Sequence, residues 1–389
     1  MPHSPVTPEL LAVARGDAPA DLLLTGARIV NVFAGEALPG CIAIHRGRIA
    51  SVTAQPPEST PREVIDARGA FVAPGFIDAH MHVESTMLPP SEFVRLAVPH
   101  GTTGVVLDPH EVANVQGVLG LRALMDNAGP RDAQAMHFLF ALSSCVPSCH
   151  LETSGARIEA PDLAPLFDDP RVVALAEMMN FPGVIHGDPK VLAKVNLGLQ
   201  RRIVDGHSPG LTGPGLQAYA AAGVSSDHEC FTIEEAREKL RLGFQIYIRE
   251  GSAARNLEAL LPLVTPANHA RFCFCTDDRH PGDLRDEGHI DHIVRKAIRL
   301  GLDPVIAFAI GSINTARHYR RPGIGAIAPG YSADFFLFDD LKCPTPRDVY
   351  FKGQLVARDG AYLPERGQSP QAAAAKFPHS AVRLPPSLS

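Results

Sequence analysis

The middle of the chain alternates between short apolar runs and longer amphipathic stretches. Apolar runs of strand length recur, and we predict strands at 71–82, 102–108, 136–143, 172–178, 202–207, 223–228, 244–249 and 271–276. The stretches between them carry apolar residues at helical spacing, and several end in glycine, as helices often do. Eight strand–helix units in about 250 residues predict an α/β protein with a (β/α)8 TIM-like barrel. An open doubly wound sheet is the alternative, but no glycine-rich phosphate turn follows an early strand.

The two ends of the chain share a different pattern. Residues 21–70 contain short β-rich runs separated by Gly, Pro and Asn, and a similar texture returns at 332–340 and 348–360. We therefore predict a small β-sandwich domain built from both chain ends, with the barrel inserted between them. The tail 365–389 is low in large apolar residues and is expected to be frayed. The chain would then divide into 1–70, 71–320 and 321–389.

Composition and charge narrow the classes of function. The chain has 389 residues, 45% of them hydrophobic and 20% charged, which is typical of a soluble globular protein. A net charge of −6 gives no electrostatic case for nucleic acid or an anionic membrane. No apolar window approaches the ~20 residues of a membrane span, and the first residues lack the apolar core of a signal peptide. Seven cysteines without framework spacing favour reduced thiols, and hence a cytoplasmic location.

Candidate chemistry collects where the predicted strands end. The first strand ends in His80 and His82, which point the same way because they lie two residues apart. Two neighbouring imidazoles are a ready pair of metal ligands. Since the active site of such a barrel lies at the carboxyl ends of its strands, a shared cavity is expected. A single polar residue of this kind is often only a helix cap or a turn residue, but so many together are difficult to explain by capping. The others are Asp108, His110, Glu111, Glu177, Asp205, His207, Asp227, His228, Asp277 and Asp278.

Several longer blocks resemble the adenine deaminase family of the amidohydrolase superfamily. They are PGFIDAHMHVESTMLPPSEF, PHGTTGVVLDPHEVANV, EMMNFPGVIHGDP, AGVSSDHECFTIEEAREKLRLG and CTDDRHPGDLRDEGHIDHIVRKAI, in the family's order. The resemblance covers about residues 20–360 and implies a barrel with a β-sandwich built from both chain ends. Typical bacterial members continue for nearly two hundred residues beyond VYFKGQLVARDG, and this chain lacks that region. We expect the difference to spare the metal centre and to affect how the site closes over a substrate and which substrate it prefers.

The resemblance also implies a site with two divalent metal ions. His80, His82 and Asp277 would bind the first metal ion, His207 and His228 the second, and Glu177 would bridge the two. The implied reaction is hydrolytic deamination of adenine to hypoxanthine and ammonia, by a metal-bridging hydroxide that attacks C6. Asp277 would take the proton of the attacking water and pass it to the departing amine. The other predicted site residues are Glu111 or His110 as the proton donor to ring nitrogen N1, Asp278 as a hydrogen-bond acceptor for the purine, and Asp108 as a substrate contact or a support for His110.

Alternatives stay open for the function and for single residues. The enzyme could act on another 6-substituted purine or on a cyclic amide, or the barrel could be a metal-free scaffold. Imidazole and carboxylate ligands suit zinc, iron or manganese, and the resemblance favours Mn(II) or Fe(II). A homodimer is expected. Asp278 could instead form a salt bridge with Arg279 or belong to a turn, and Glu111 could simply face a helix N-terminus. His289 and His292 lie three residues apart on a predicted helix and are interpreted as surface residues.

Overall fold

The computed structural model describes residues 5–130 and 134–363. The N-terminal part forms one helix and five strands. Thr7 caps the helix at its N-terminus, and Gly16 ends it with a positive φ of 85°. The predicted frayed tail, 365–389, lies outside the described residues. The elements of this part are α1 (Pro8–Arg15), β1 (Leu22–Asn31), β2 (Glu36–His45), β3 (Arg48–Thr53), β4 (Glu63–Asp66) and β5 (Phe71–Pro74).

Eight strands follow, and all of their pairings with one another are parallel. They are β6 (Phe76–Met81), β7 (Thr102–Leu107), β8 (His137–Leu142), β9 (Val172–Met178), β10 (Ile203–Gly206), β11 (Ser226–Asp227), β12 (Gln245–Arg249) and β13 (Phe272–Cys275). Strands β6 to β10 form one ladder and β11 to β13 another. The Ser225 N–H donates to the Val204 carbonyl at 3.2 Å, which links the two ladders on one side. A parallel bridge between Met81 and Asp277 links them on the other, so the sheet closes into a barrel.

The helices lie between these strands or after the last of them. They are α2 (Pro90–Ala97), α3 (His110–Asn127), α4 (Ala160–Leu163), α5 (Phe181–Ile185), α6 (Pro189–Arg201), α7 (Gly213–Ala221), α8 (Ile233–Arg241), α9 (Leu257–Leu260), α10 (Pro281–Asp286), α11 (Ile290–Arg299), α12 (Pro304–Ile310) and α13 (Ile313–His318). Short 3-10 turns lie at Val83–Thr86, Val98–His100, Ala164–Asp168, Leu261–Leu263 and His269–Arg271. Asp188 and Asp303 each directly precede a proline, and the side chain of each accepts hydrogen bonds from two backbone N–H groups. These contacts fix the start of α6 and of α12. None of the helices in the described residues is long and apolar enough to cross a membrane.

The last four strands complete the sheet that the N-terminal strands begin. They are β14 (Phe335–Phe338), β15 (Asp348–Phe351), β16 (Gln354–Arg358) and β17 (Ala361–Tyr362). The order β17-β16-β15-β14-β5-β1-β2-β3, with β4 beside β1, joins both ends of the chain in one nine-stranded sheet. The sheet encloses an apolar core to which both ends contribute, for example Leu24 and Ile44 from one end and Phe335 and Tyr350 from the other. The predicted fold class, a (β/α)8 barrel with a β-sandwich built from both ends, is confirmed. The division of the chain at residues 70 and 320 stays a prediction.

The first predicted strand, 71–82, is two strands that belong to different sheets. Strand β5 pairs with β1 and β14, whereas β6 pairs with β7 in the barrel. Gly75 separates them, and a Cβ atom at this position would lie 2.0 Å from the Thr103 hydroxyl oxygen. The predicted strand 223–228 is also shorter, at Ser226–Asp227, where the Gly206 N–H donates to the Ser226 hydroxyl instead of to a backbone carbonyl. Both differences arise from contacts between neighbouring strands, and the local sequence pattern does not predict such contacts.

Candidate metal centre

His80 and His82 lie at the carboxyl end of β6, with their ring centroids 4.8 Å apart. The Nδ1 atom of His82 is 2.7 Å from the backbone carbonyl of Asp108. This contact fixes the ring so that its Nε2 atom is left for the cavity. The Nε2 atoms of His82 and His80 lie 3.0 Å and 3.3 Å from the same oxygen, Oδ1 of Asp277. Three predicted ligands from the first and last barrel strands therefore converge on one point.

Asp277 is held in place by its backbone as well as by its side chain. Its φ of 57° lies in the left-handed region, which is uncommon for a residue with a side chain. Its N–H donates to the His80 carbonyl at 3.0 Å, and its carbonyl accepts the His82 N–H at 3.1 Å. Asp277 is therefore attached to the backbone of both histidines that its side chain faces.

Glu177 lies near the carboxyl end of β9 and directs its two oxygens to different imidazoles. Oε2 is 2.5 Å from His207 Nδ1 and 3.2 Å from His228 Nε2. Oε1 is 3.5 Å from His82 Nε2 and 3.1 Å from His110 Nδ1. A carboxylate placed in this way can bridge two cations, one near each group of histidines.

Burial and mutual charge dominate the electrostatics of this cluster. Burial alone would raise the pKa of Glu177 and of Asp277, but the surrounding imidazoles hold both pKa values well below the usual range. Burial alone would lower the pKa of His228, but Glu177 and Asp277 raise it to about 9. The same carboxylates raise the pKa of His82 well above its usual value. The buried carboxylates therefore require positive charge, which imidazolium protons or divalent cations can supply.

The donor atoms fit a site for divalent metal ions. Nε2 of His80 is buried and lies 3.3 Å from Asp277 Oδ1, but it forms no hydrogen bond within the described parts of the chain. A buried imidazole nitrogen without a partner is costly, and a metal ion would satisfy it. Imidazole nitrogen and carboxylate oxygen are ligands for zinc, iron and manganese. Three overlapping groups each have candidate ligand atoms within 4.8 Å of one another: His80, His228 and Asp277; Glu177, His207 and His228; and His82, Asp108, His110 and Glu177.

The residues at the end of the second barrel strand lie beside this cluster. The carboxylate of buried Asp108 accepts a hydrogen bond from Ser143 at 3.2 Å and lies 3.4 Å from Nδ1 of His110. Burial lowers the pKa of His110, but Asp108 and Glu177 outweigh burial and raise it to about 11. Glu111 is 40% exposed, and its Oε2 atom is 3.9 Å from His82 Nδ1. Beside it, burial and the Glu111 charge raise the pKa of Glu84 to about 8.

Asp278 lies at the edge of the site and is partly exposed. Its carboxylate accepts a hydrogen bond from the Ser85 hydroxyl. The alternative salt bridge with Arg279 is wrong, because the guanidinium of Arg279 pairs instead with Glu287 at 2.8 Å. The contact of Asp278 with a substrate stays a prediction.

Two features near the site were not predicted from the sequence. Arg249, at the end of β12, contacts Glu229 and the second oxygen of Asp277. His289 is fully buried, so its interpretation as a surface residue is wrong. Its Nε2 atom lies 3.0 Å from Asp78, which accepts the N–H of His80. The sequence does offer one indication of a role for Arg249, because a charged residue ends the apolar run QIYIR. No local pattern indicates that His289 is buried.

Comparison with known proteins places this geometry in a family. The family model described as Amidohydrolase family matches residues 71–356. Relatives named adenine deaminase from Desulfatibacillum aliphaticivorans and Kosmotoga olearia are 48% and 47% identical over 357 and 354 residues. These alignments cover 92% and 90% of this chain but only 62% and 60% of the relatives. The chain thus spans about three fifths of the length of these relatives.

Solved structures with the same fold include proteins of different activities. N-acetyl-D-glucosamine-6-phosphate deacetylase from Mycobacterium smegmatis aligns with a TM-score of 0.63 at 18% identity, over 86% of this chain and 100% of that one. Dihydropyrimidinase from Brevibacillus agri NCHU1002 aligns with a TM-score of 0.64 at 15% identity, over 90% and 97%. At such low identity these likenesses concern the fold alone. Because the family model covers well over half of the residues, the chain belongs to the amidohydrolase family.

Proposed function

We propose that this protein is a metal-dependent hydrolase that converts adenine and water to hypoxanthine and ammonia. The observation that carries the proposal is the convergence of the six predicted ligands, from separate parts of the barrel, on one buried cluster. The similarity to relatives named adenine deaminase supports the choice of substrate. The activity of those longer proteins is extended to this chain as part of the proposal.

The proposed ligands divide into two groups with Glu177 between them. His80, His82 and Asp277 would hold one metal ion, and His207 and His228 the other. Divalent metal ions bound by this set would supply a water molecule activated for attack at neutral pH. The donor set does not distinguish Mn(II), Fe(II) and Zn(II). We favour Mn(II) or Fe(II) because the resemblance to the adenine deaminase family favours them, with Zn(II) as the alternative.

Side chains around the metal cluster would transfer the protons and bind the purine. Asp277 Oδ1 faces the cluster and is the oxygen that would take a proton from the attacking water and deliver it to the departing amino group. Attack at C6 also needs a proton on ring nitrogen N1, and His110 or Glu111 would hold that proton. Asp278 would accept a hydrogen bond from the purine. Asp108 would contact the substrate or fix the orientation of His110, whose Nδ1 atom lies 3.4 Å from its carboxylate.

Ammonia release and metal content test the proposal together. The purified protein is freed of metal with a chelator, reloaded with Mn(II) or Fe(II), and assayed for ammonia and for the ultraviolet shift from adenine to hypoxanthine. We expect activity only after reloading. Release of the 6-substituent from another purine, or ring opening of a cyclic amide, with no ammonia from adenine, would replace the substrate and keep the metal site. A protein that takes up no metal would be a scaffold instead.

Two further properties belong to the same proposal. We expect a cytoplasmic enzyme, in keeping with seven free cysteines in the described residues. We also expect a homodimer, which sedimentation of the purified protein measures directly.

A further inference from the structure

Arg249 lies between two carboxylates at the edge of the metal cluster. Its Nη1 atom is 2.6 Å from Oδ2 of Asp277 and also contacts Oε1 of Glu229, while its Nη2 atom donates to Glu229 Oε2 at 3.1 Å. The Arg249 and Asp277 side chains are only 4% and 8% exposed, so water screens this interaction poorly. The three side chains form a buried Glu229–Arg249–Asp277 clamp.

Neighbouring barrel strands place the three members of the clamp. Strand β12 pairs in parallel with β13, with Arg249 opposite Cys275, two residues before Asp277. Glu229 follows β11 on the other side of β12. The side chain of Asn256 accepts the Arg249 N–H at 2.7 Å and donates to the carbonyls on both sides of Glu229. The guanidinium is thus fixed from its backbone as well as from its two ion pairs.

In the clamp, the two carboxylate oxygens of Asp277 have different partners. Oδ2 is engaged by Arg249, whereas Oδ1 faces the Nε2 atoms of His80 and His82. A carboxylate attached only at its backbone could rotate about its side-chain bonds and turn Oδ1 away from the histidines. The guanidinium fork prevents this rotation because Glu229 holds it in turn by two hydrogen bonds.

We propose that Arg249, held by Glu229, is a positioning residue that keeps Oδ1 of Asp277 aimed at the metal cluster. The proposal deepens the proposed function, since it concerns the aspartate that would transfer the proton. A purely structural ion pair would instead affect folding and leave the turnover of the folded protein unchanged.

Arg249→Lys is the informative variant, because it keeps the charge and removes the fork. Arg249→Met would leave two buried carboxylates without a cation and endanger folding. For Arg249→Lys we expect kcat for ammonia release, expressed per metal-loaded chain, to fall about tenfold or more, with KM within about threefold. Glu229→Gln should also lower kcat. The kcat of the double variant should be close to that of the more strongly affected single variant, because the two residues act together.

Arg171→Lys is the matched control. Arg171 also forms a fork, partly buried, to Asp169 and to two backbone carbonyls, but it precedes β9 at the opposite end of the barrel. Its substitution should leave kcat unchanged. An unchanged kcat in Arg249→Lys would overturn the proposal.

A crystal structure of Arg249→Lys supplies a readout that does not depend on activity. The proposal predicts that Asp277 Oδ1 leaves its positions 3.3 Å and 3.0 Å from the two histidines. If Asp277 keeps both distances, the proposal is wrong whatever the kinetics show. If the wild-type protein releases no ammonia from adenine, the proposed function fails. The crystal structure of Arg249→Lys then tests by itself whether Arg249 positions Asp277.

Discussion

Asp291 is a fully buried carboxylate whose replacement by asparagine should lower the free energy of unfolding measurably. It accepts the His289 N–H at 2.8 Å, contacts His100 Nδ1 at 3.2 Å and pairs with Arg295. Burial raises its pKa, but His100 and Arg295 outweigh burial and lower the pKa from 3.8 to about 2. At about 1.4 kcal/mol for each pH unit, the difference of about 1.8 corresponds to about 2–3 kcal/mol above pH 5.

The sign of this contribution sets its pH dependence. Since the pKa of Asp291 is lower in the folded protein than in the unfolded chain, the stabilisation is complete well above pH 3.8 and is lost as the pH falls through about 2. The difference between wild type and Asp291→Asn should therefore fall between pH 5 and pH 3 to roughly half of its value at pH 5.

Urea-induced unfolding at several pH values measures this difference. Asp286→Asn is the control, because Asp286 forms an ion pair with Arg285 at 62% exposure and its loss should not shift the urea midpoint. A difference below about 0.5 kcal/mol for Asp291→Asn at pH 7 would refute the reasoning, as would a difference that grows below pH 4.

Two other substitutions test how the barrel supports the cluster. Asp78→Asn should lower the affinity for Mn(II) about 10- to 100-fold in a chelator competition, because Asp78 holds the His80 N–H and the Thr276 hydroxyl beside Asp277; unchanged affinity would contradict this support. Gly206→Ala should lower the thermal midpoint and the stability by about 1–3 kcal/mol, since the new Cβ atom would lie 2.2 Å from the Ser226 carbonyl oxygen. A midpoint equal to that of the wild type would show that β10 shifts without cost.

The barrel and the positions of the candidate ligands follow from local patterns. A strand that ends in His80-Met81-His82 directs both imidazoles to the same side, and the carboxyl ends of parallel strands meet at one face of the barrel. These two rules are sufficient to expect Glu177 and Asp277 near the histidines. The resemblance to a family, rather than the pattern, assigned each residue to one of two metal ions, and those roles stay predictions.

Contacts between distant segments were not accessible in this way. A single arginine at the end of a strand has many potential partners, and only the packing of β11, β12 and β13 places Arg249 between Glu229 and Asp277. His289 precedes an amphipathic helix, and its burial depends on the packing of α11 against β6, which carries Asp78. The break at Gly75 likewise depends on the close approach of Thr103.

The Glu177 carboxylate contacts four imidazoles of the cluster, so the replacement of Glu177 by glutamine tests the account most directly. The measurement is metal content and ammonia release from adenine on the same samples of wild type and Glu177→Gln. We predict two metal ions per wild-type chain, and in the variant a loss of metal together with a fall in turnover of about 100-fold or more, because a bridging charge worth several kcal/mol is removed. A variant that keeps both metal ions and full turnover, or a wild-type protein that binds no metal, would contradict the account.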